Sequence, residues 1–87
     1  MQKLLLSAAI AALAPMAALA APAVGDLIGT DAETAKAALE AAGCPVDDFE
    51  AEDGKVEAVC TDTATGKAIE VAIDPATGLV TAITDKD

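Results

Sequence analysis

The chain has 87 residues, 15 of them acidic against five lysines, and a formal charge of −10, which leaves room for one small domain and excludes polyanions such as nucleic acid as partners. Histidine and arginine are absent, and Ser7 is the only serine, so neither a Ser-His-Asp arrangement nor a histidine-bound catalytic zinc can be assembled.

The first twenty residues, MQKLLLSAAIAALAPMAALA, carry Lys3, an apolar run from Leu4 to Leu13 broken only by Ser7, and the small-residue end Ala18-Leu19-Ala20. This is the pattern of a secretory signal peptide cleaved after Ala20. The apolar run is shorter than the ~20 residues of a membrane-spanning helix, and Pro15 follows closely. No cysteine stands near the cleavage site to carry a lipid. The product is therefore expected to be periplasmic or secreted, without stable membrane association. Removal of Lys3 makes it one charge more negative, and Ser7, Gln2, Met1 and Met16 leave with the signal. Carboxylates remain, but so small a domain has little room for the cleft that would shift their pKa values, so no enzyme and no cofactor is implied.

Residues 21–29, APAVGDLIG, form a lead-in broken by Pro22, Gly25 and Gly29. Thr30-Asp31-Ala32-Glu33 reads as a capping box that opens a helix, with the Thr30 hydroxyl bonding into the first turn and Glu33 reaching back. Ala35, Ala38, Leu39 and Ala42 recur on one helical face, with Glu33, Lys36 and Glu40 on the other. Gly43 and Pro45 end the helix. A helix of this length with a stripe mostly of alanine is marginal alone and must dock.

From Val46 the pattern alternates with period two. Asp53-Gly54 is a two-residue hairpin signal, and closing on it sets Glu52 opposite Lys55, Glu50 opposite Glu57, and Phe49 opposite Ala58. D-x-A-T-G then occurs twice, at Asp62–Gly66 and Asp74–Gly78. Pairing Cys60 with Ile69 and Val56 with Ile73 makes the first copy a four-residue corner; pairing Ile73 with Val80, and Val71 with Ala82, makes the second one too. Both corners have local reasons for their residues, Asp to accept backbone N–H groups and Gly to supply positive φ. Successive corners of a meander fall at opposite ends of the sheet, so the two cannot grip one ligand.

Cys44 and Cys60 are the only cysteines, and in an exported chain they imply one disulfide pinning the helix end to the second strand. The expected fold is α+β: one N-terminal helix packed on a four-stranded antiparallel β-meander, residues 30–87 forming a single domain. The helix should cover Phe49, Val56, Ala58, Ile69, Val71, Ile73 and Val80. The opposite face should carry an apolar patch of Val59, Ala72, Leu79 and Ile83, rimmed by Asp48, Glu50, Glu52, Glu57 and Glu70. Such a patch, or the edges of strands one and four, suits a protein partner. A second expectation is calcium at Asp48, Glu50 and Glu57, because Glu50 and Glu57 directly opposed repel unless neutralised; Lys55, between Glu52 and Asp74, competes for that role.

With these elements placed, the stretch KAIEVAIDPATGLV resembles the PepSY family, whose V-D-x-x-T-G-x-V signature is matched by the strand before the corner, Ile69, Val71 and Ile73, then Asp74, Thr77, Gly78 and Val80. The helix ending in A-A-G and the stretch E-D-G-K-V-E are similar too, and the resemblance covers residues 24–84. It implies a non-catalytic module of the kind found in propeptides of secreted metallopeptidases, where it is proposed to hold or inhibit the peptidase. The partner expected is thus a protein, a secreted peptidase or a second copy of the domain. The chain differs from the common pattern in keeping Phe49 as its one aromatic residue and in carrying the cysteine pair.

Overall fold

The computed structural model describes residues 21–86, so the signal peptide expected over 1–20 lies outside the described residues. One helix, α1 (Ala32–Ala41), precedes four strands, β1 (Val46–Glu52), β2 (Lys55–Asp62), β3 (Lys67–Ile73) and β4 (Val80–Asp85). The strands form one antiparallel sheet in the order β1-β2-β3-β4. The helix is not at the N-terminus of the chain: the described lead-in from Ala21 comes before it.

The helix begins one residue later than the capping box would place it. Asp31, in extended conformation, is the N-cap, and its carboxylate accepts the Thr34 backbone N–H at 3.1 Å. A carboxylate is at least as good a cap as a hydroxyl and also complements the helix dipole, so Asp31 displaces Thr30 and Glu33 remains exposed. Of the apolar stripe, Ala35 and Leu39 are fully buried, while Ala38 and Ala42 are half-buried. Leu39 is the only large side chain the helix buries, a contribution of roughly 1.5–3 kcal/mol.

What holds so weak a helix in place follows it directly. Cys44 and Cys60, both without exposure, form the disulfide, with their Cα atoms 5.2 Å apart. Around it, the Thr61 N–H donates to the Pro45 carbonyl at 3.1 Å, and both the N–H and hydroxyl of Thr63 donate to the Gly43 carbonyl. The end of α1 is thereby stitched to the end of β2. Below the helix lie Ile28, Val56, Ala58, Ile69, Val71, Ile73 and Val80, all buried, with Val46, Phe49 and Ile83 half-buried against them.

The first two hairpins have the register the sequence dictates, from Glu52 opposite Lys55 to Asp62 opposite Lys67. The D-x-A-T-G corners are built alike. Asp62 accepts the Ala64 N–H on its carboxylate and the Gly66 N–H on its carbonyl; Asp74 does the same for Ala76 and Gly78. Thr65 and Thr77 hydroxyls then accept the N–H groups of Lys67 and Leu79.

The third hairpin departs from expectation. Ile73 faces Val80, but Ala72 faces Ala82 and Val71 faces Ile83, because Thr81 is an extra residue in β4. The bulge lets Ile83, rather than the smaller Ala82, reach the core, and the Thr81 hydroxyl donates to the Ala72 carbonyl at 3.3 Å. A similar irregularity in β1 leaves Asp47 unpaired, and its carboxylate accepts the Thr61 hydroxyl at 2.7 Å.

Two outcomes test this arrangement. Replacing Cys44 and Cys60 together by alanine is expected to lower unfolding stability by about 3 kcal/mol, read from urea midpoints. The Thr34 backbone N–H, with its side chain second, lowers the Asp31 carboxyl below its ordinary value. A depressed folded pKa stabilises above the unfolded pKa and ceases to do so as pH falls through the folded value. Asp31→Ala should therefore lower the thermal midpoint at neutral pH, with the deficit shrinking in acid.

Candidate functional site

The helix covers one face of the sheet and leaves the other open. Period-two alternation puts Asp48, Val59, Glu70 and Thr84 in one cross-strand row of that open face and Glu50, Glu57, Ala72 and Ala82 in the next. A shallow groove of about 280 Å³ runs across it, lined by Asp48, Glu50, Glu57, Val59, Glu70 and Lys86. Val59 and Ala72 are half-buried at the middle, as are Glu57 and Glu70, while Asp48, Glu50 and Lys86 are exposed.

The expected apolar patch of four residues is therefore broken up. Val59 and Ala72 share the face, but the bulge at Thr81 turns Ile83 into the core, where it packs beside Val71. Leu79 sits at the corner before β4, 38% exposed, and pairs with Leu27 of the lead-in. The same bulge brings Lys86 onto the open face, where alternation unbroken from Val80 would have turned it away. The signal was in the spacing: Val80 and Ile83 are three apart, which period two cannot bury together.

The cation expectation finds no geometry. Asp48, Glu50 and Glu57 all line the groove, yet among the described residues no group of three His, Cys, Asp or Glu side chains is placed to hold a metal ion. Glu57 instead takes an ammonium as its neighbour: Lys55 Nζ lies 3.6 Å from its carboxylate. This lysine was expected between Glu52 and Asp74; it stays opposite Glu52 along the backbone, but its head follows the strand to the residue two further on. The relief is partial, since Lys55 is largely exposed and Glu50 still stands directly opposite Glu57.

The remaining motif residues serve the corner. Asp74 and Thr77 spend their oxygens on local N–H groups, and Gly78, at φ +78°, is buried. Gly66, in the equivalent place at φ +77°, is exposed with open space around it. The lead-in makes the difference. It lies along the start of β4, with the Gly25 N–H donating to the Val80 carbonyl, the Val80 N–H to the Asp26 carbonyl, and the Ile28 and Gly29 N–H groups both to the Gly78 carbonyl. The start of the β4 edge, expected to be open to an added strand, is thus already covered.

A short helix laid on one face of an acidic four-stranded meander, with the other face uncovered among the described residues, defines a surface-bearing α+β module. A family model, PepSY_2, described as peptidase propeptide and YPEB domain, matches residues 4–84, and the chain belongs to this family. The family resemblance read from the Asp74–Val80 corner is thereby established. No curated protein and no solved structure matches the chain. Among the described residues, no helix is long and apolar enough to cross a membrane.

Replacing Glu50 by glutamine removes one half of the opposed carboxylate pair. The variant should be more stable than the parent by roughly 0.2–1 kcal/mol in low salt, the gain shrinking as salt is added, as followed by urea unfolding at two ionic strengths.

Proposed function

We propose that this protein is an exported, non-catalytic module that binds a protein partner through the open face of its sheet, and that the partner is a secreted peptidase whose activity it modulates. The observation that carries this reading is the uncovered face itself, a groove floored by Val59 and lined by four carboxylates and Lys86. A buried disulfide fits an oxidising compartment outside the cytoplasm. Membership of a family described as peptidase propeptide supports the class of partner.

The physical chemistry of the face agrees with binding another protein rather than a second copy of itself. Two such faces brought together would oppose like carboxylates across the contact, at a cost in free energy. A peptidase surface bearing lysine or arginine around an apolar contact would instead complement both Val59 and its acidic surround.

Titration of the disulfide-bonded protein against peptidases secreted by the same cells, with hydrolysis of a protein substrate as readout, tests the proposal. A saturable change in peptidase activity is expected, lost in Val59→Lys with its fold intact by circular dichroism. Activity that stays unchanged across the secreted peptidases at micromolar domain, or a change that survives Val59→Lys, would overturn it.

A further inference from the structure

The two D-x-A-T-G corners share the Asp carboxylate and carbonyl bonds, the Thr hydroxyl bond and a final glycine at nearly equal φ, yet only one of them is a contact site. A Cβ built on Gly66 meets nothing within 4 Å. A Cβ on Gly78 would lie 3.1 Å from the Gly29 Cα and 3.2 Å from its nitrogen, both backbone atoms with no freedom to swing aside. The absence of a side chain at Gly78 is what lets the lead-in close onto the corner.

The segment that closes there is lightly held. Four backbone hydrogen bonds tie Gly25–Gly29 to the sheet, and all of them end on Gly78 or Val80. Between Ala23 and Gly29 only Ile28 is buried, at 4% exposure. Among the described residues, Val24 and Leu27, at 64% and 70%, are with Leu79 the large apolar side chains that stand out in solvent. The turn at Ala23–Asp26 is internally bonded: the Asp26 N–H donates to the Ala23 carbonyl, and its carboxylate accepts the Ala23 N–H at 2.9 Å. It can therefore move without losing its own shape. By contrast, α1 is fixed by the disulfide and by the Thr61 and Thr63 bonds, none of which involves the lead-in.

We infer that residues 23–29 form a releasable strap latched by Gly78, which opens as one unit while the helix, the disulfide and strands β1 to β3 stay folded. Segments with few buried apolar contacts and few ties open at lower free energy than the ladders they adjoin. Opening bares the Gly78 carbonyl, both backbone groups of Val80, and the part of the core that Ile28 covers. The second corner is then a latch as well as a turn, a role its twin at Gly66 does not have.

Amide hydrogen exchange followed by NMR on the disulfide-bonded protein tests this. The amides of Gly25, Ile28, Gly29 and Val80 should share one protection factor, at least about tenfold smaller than that of the protected amides of the β2–β3 ladder. Gly78→Ala and Gly66→Ala meet the same positive-φ penalty, so their difference isolates the latch. Gly78→Ala should accelerate the four strap amides about tenfold or more beyond Gly66→Ala, with equal ladder protection in the two variants. Should Gly78→Ala fail to fold, Ile28→Ala is expected to accelerate the same four amides and leave the ladder protected. Strap amides with the same protection factor as the ladder, or variants that accelerate strap and ladder together, would overturn the inference.

Discussion

The Cys44–Cys60 bond is the constraint on which the rest of this structure depends. A ten-residue helix that buries only Ala35 and Leu39 cannot persist by propensity or by packing alone. Joined covalently to β2, with Gly43 and Pro45 bonded to Thr63 and Thr61, its end is fixed over the sheet. The core it encloses is made of aliphatic side chains around the disulfide, with Phe49 half-buried against it. In a domain this small such a core leaves little stability in reserve, and a cross-link that limits the unfolded chain supplies it.

From that constraint the open face follows. One short helix covers one side of four strands, and nothing else in the described residues lies over the other side. The residues there are chosen for water and charge rather than for packing. Asp48, Glu50, Glu57 and Glu70 surround Val59, and the direct opposition of Glu50 and Glu57 is only partly relieved by Lys55. Such an arrangement gives up some stability, a common accompaniment of surfaces kept for recognition. The acidic side chains along β1 also discourage edge-to-edge association of the sheet.

Much of this was legible in the residues. Asp53-Gly54 and the first D-x-A-T-G corner fix their hairpin registers because loop length and alternation agree, and the two cysteines of the chain have only each other. The misplacements have local physical causes. Asp31 took the cap from Thr30 because two competent caps are adjacent in sequence. The bulge at Thr81 shifted β4 by one residue, and since one residue inverts every later side chain, Ile83 went to the core and Lys86 to the groove. The strap was the least legible element. Its pairing of Leu27 with Leu79 is isolated, spans fifty-two positions of chain, and has no periodicity to announce it.

The central claim, that the uncovered sheet face is the surface presented to a partner, is tested most directly by photo-cross-linking inside the compartment where the protein resides. A photoreactive residue at Val59, at the middle of the open face, is compared with one at Lys36, on the exposed side of the helix. The account predicts a discrete protein adduct from position 59 and none from position 36. Adducts from position 36 with none from position 59 would contradict it.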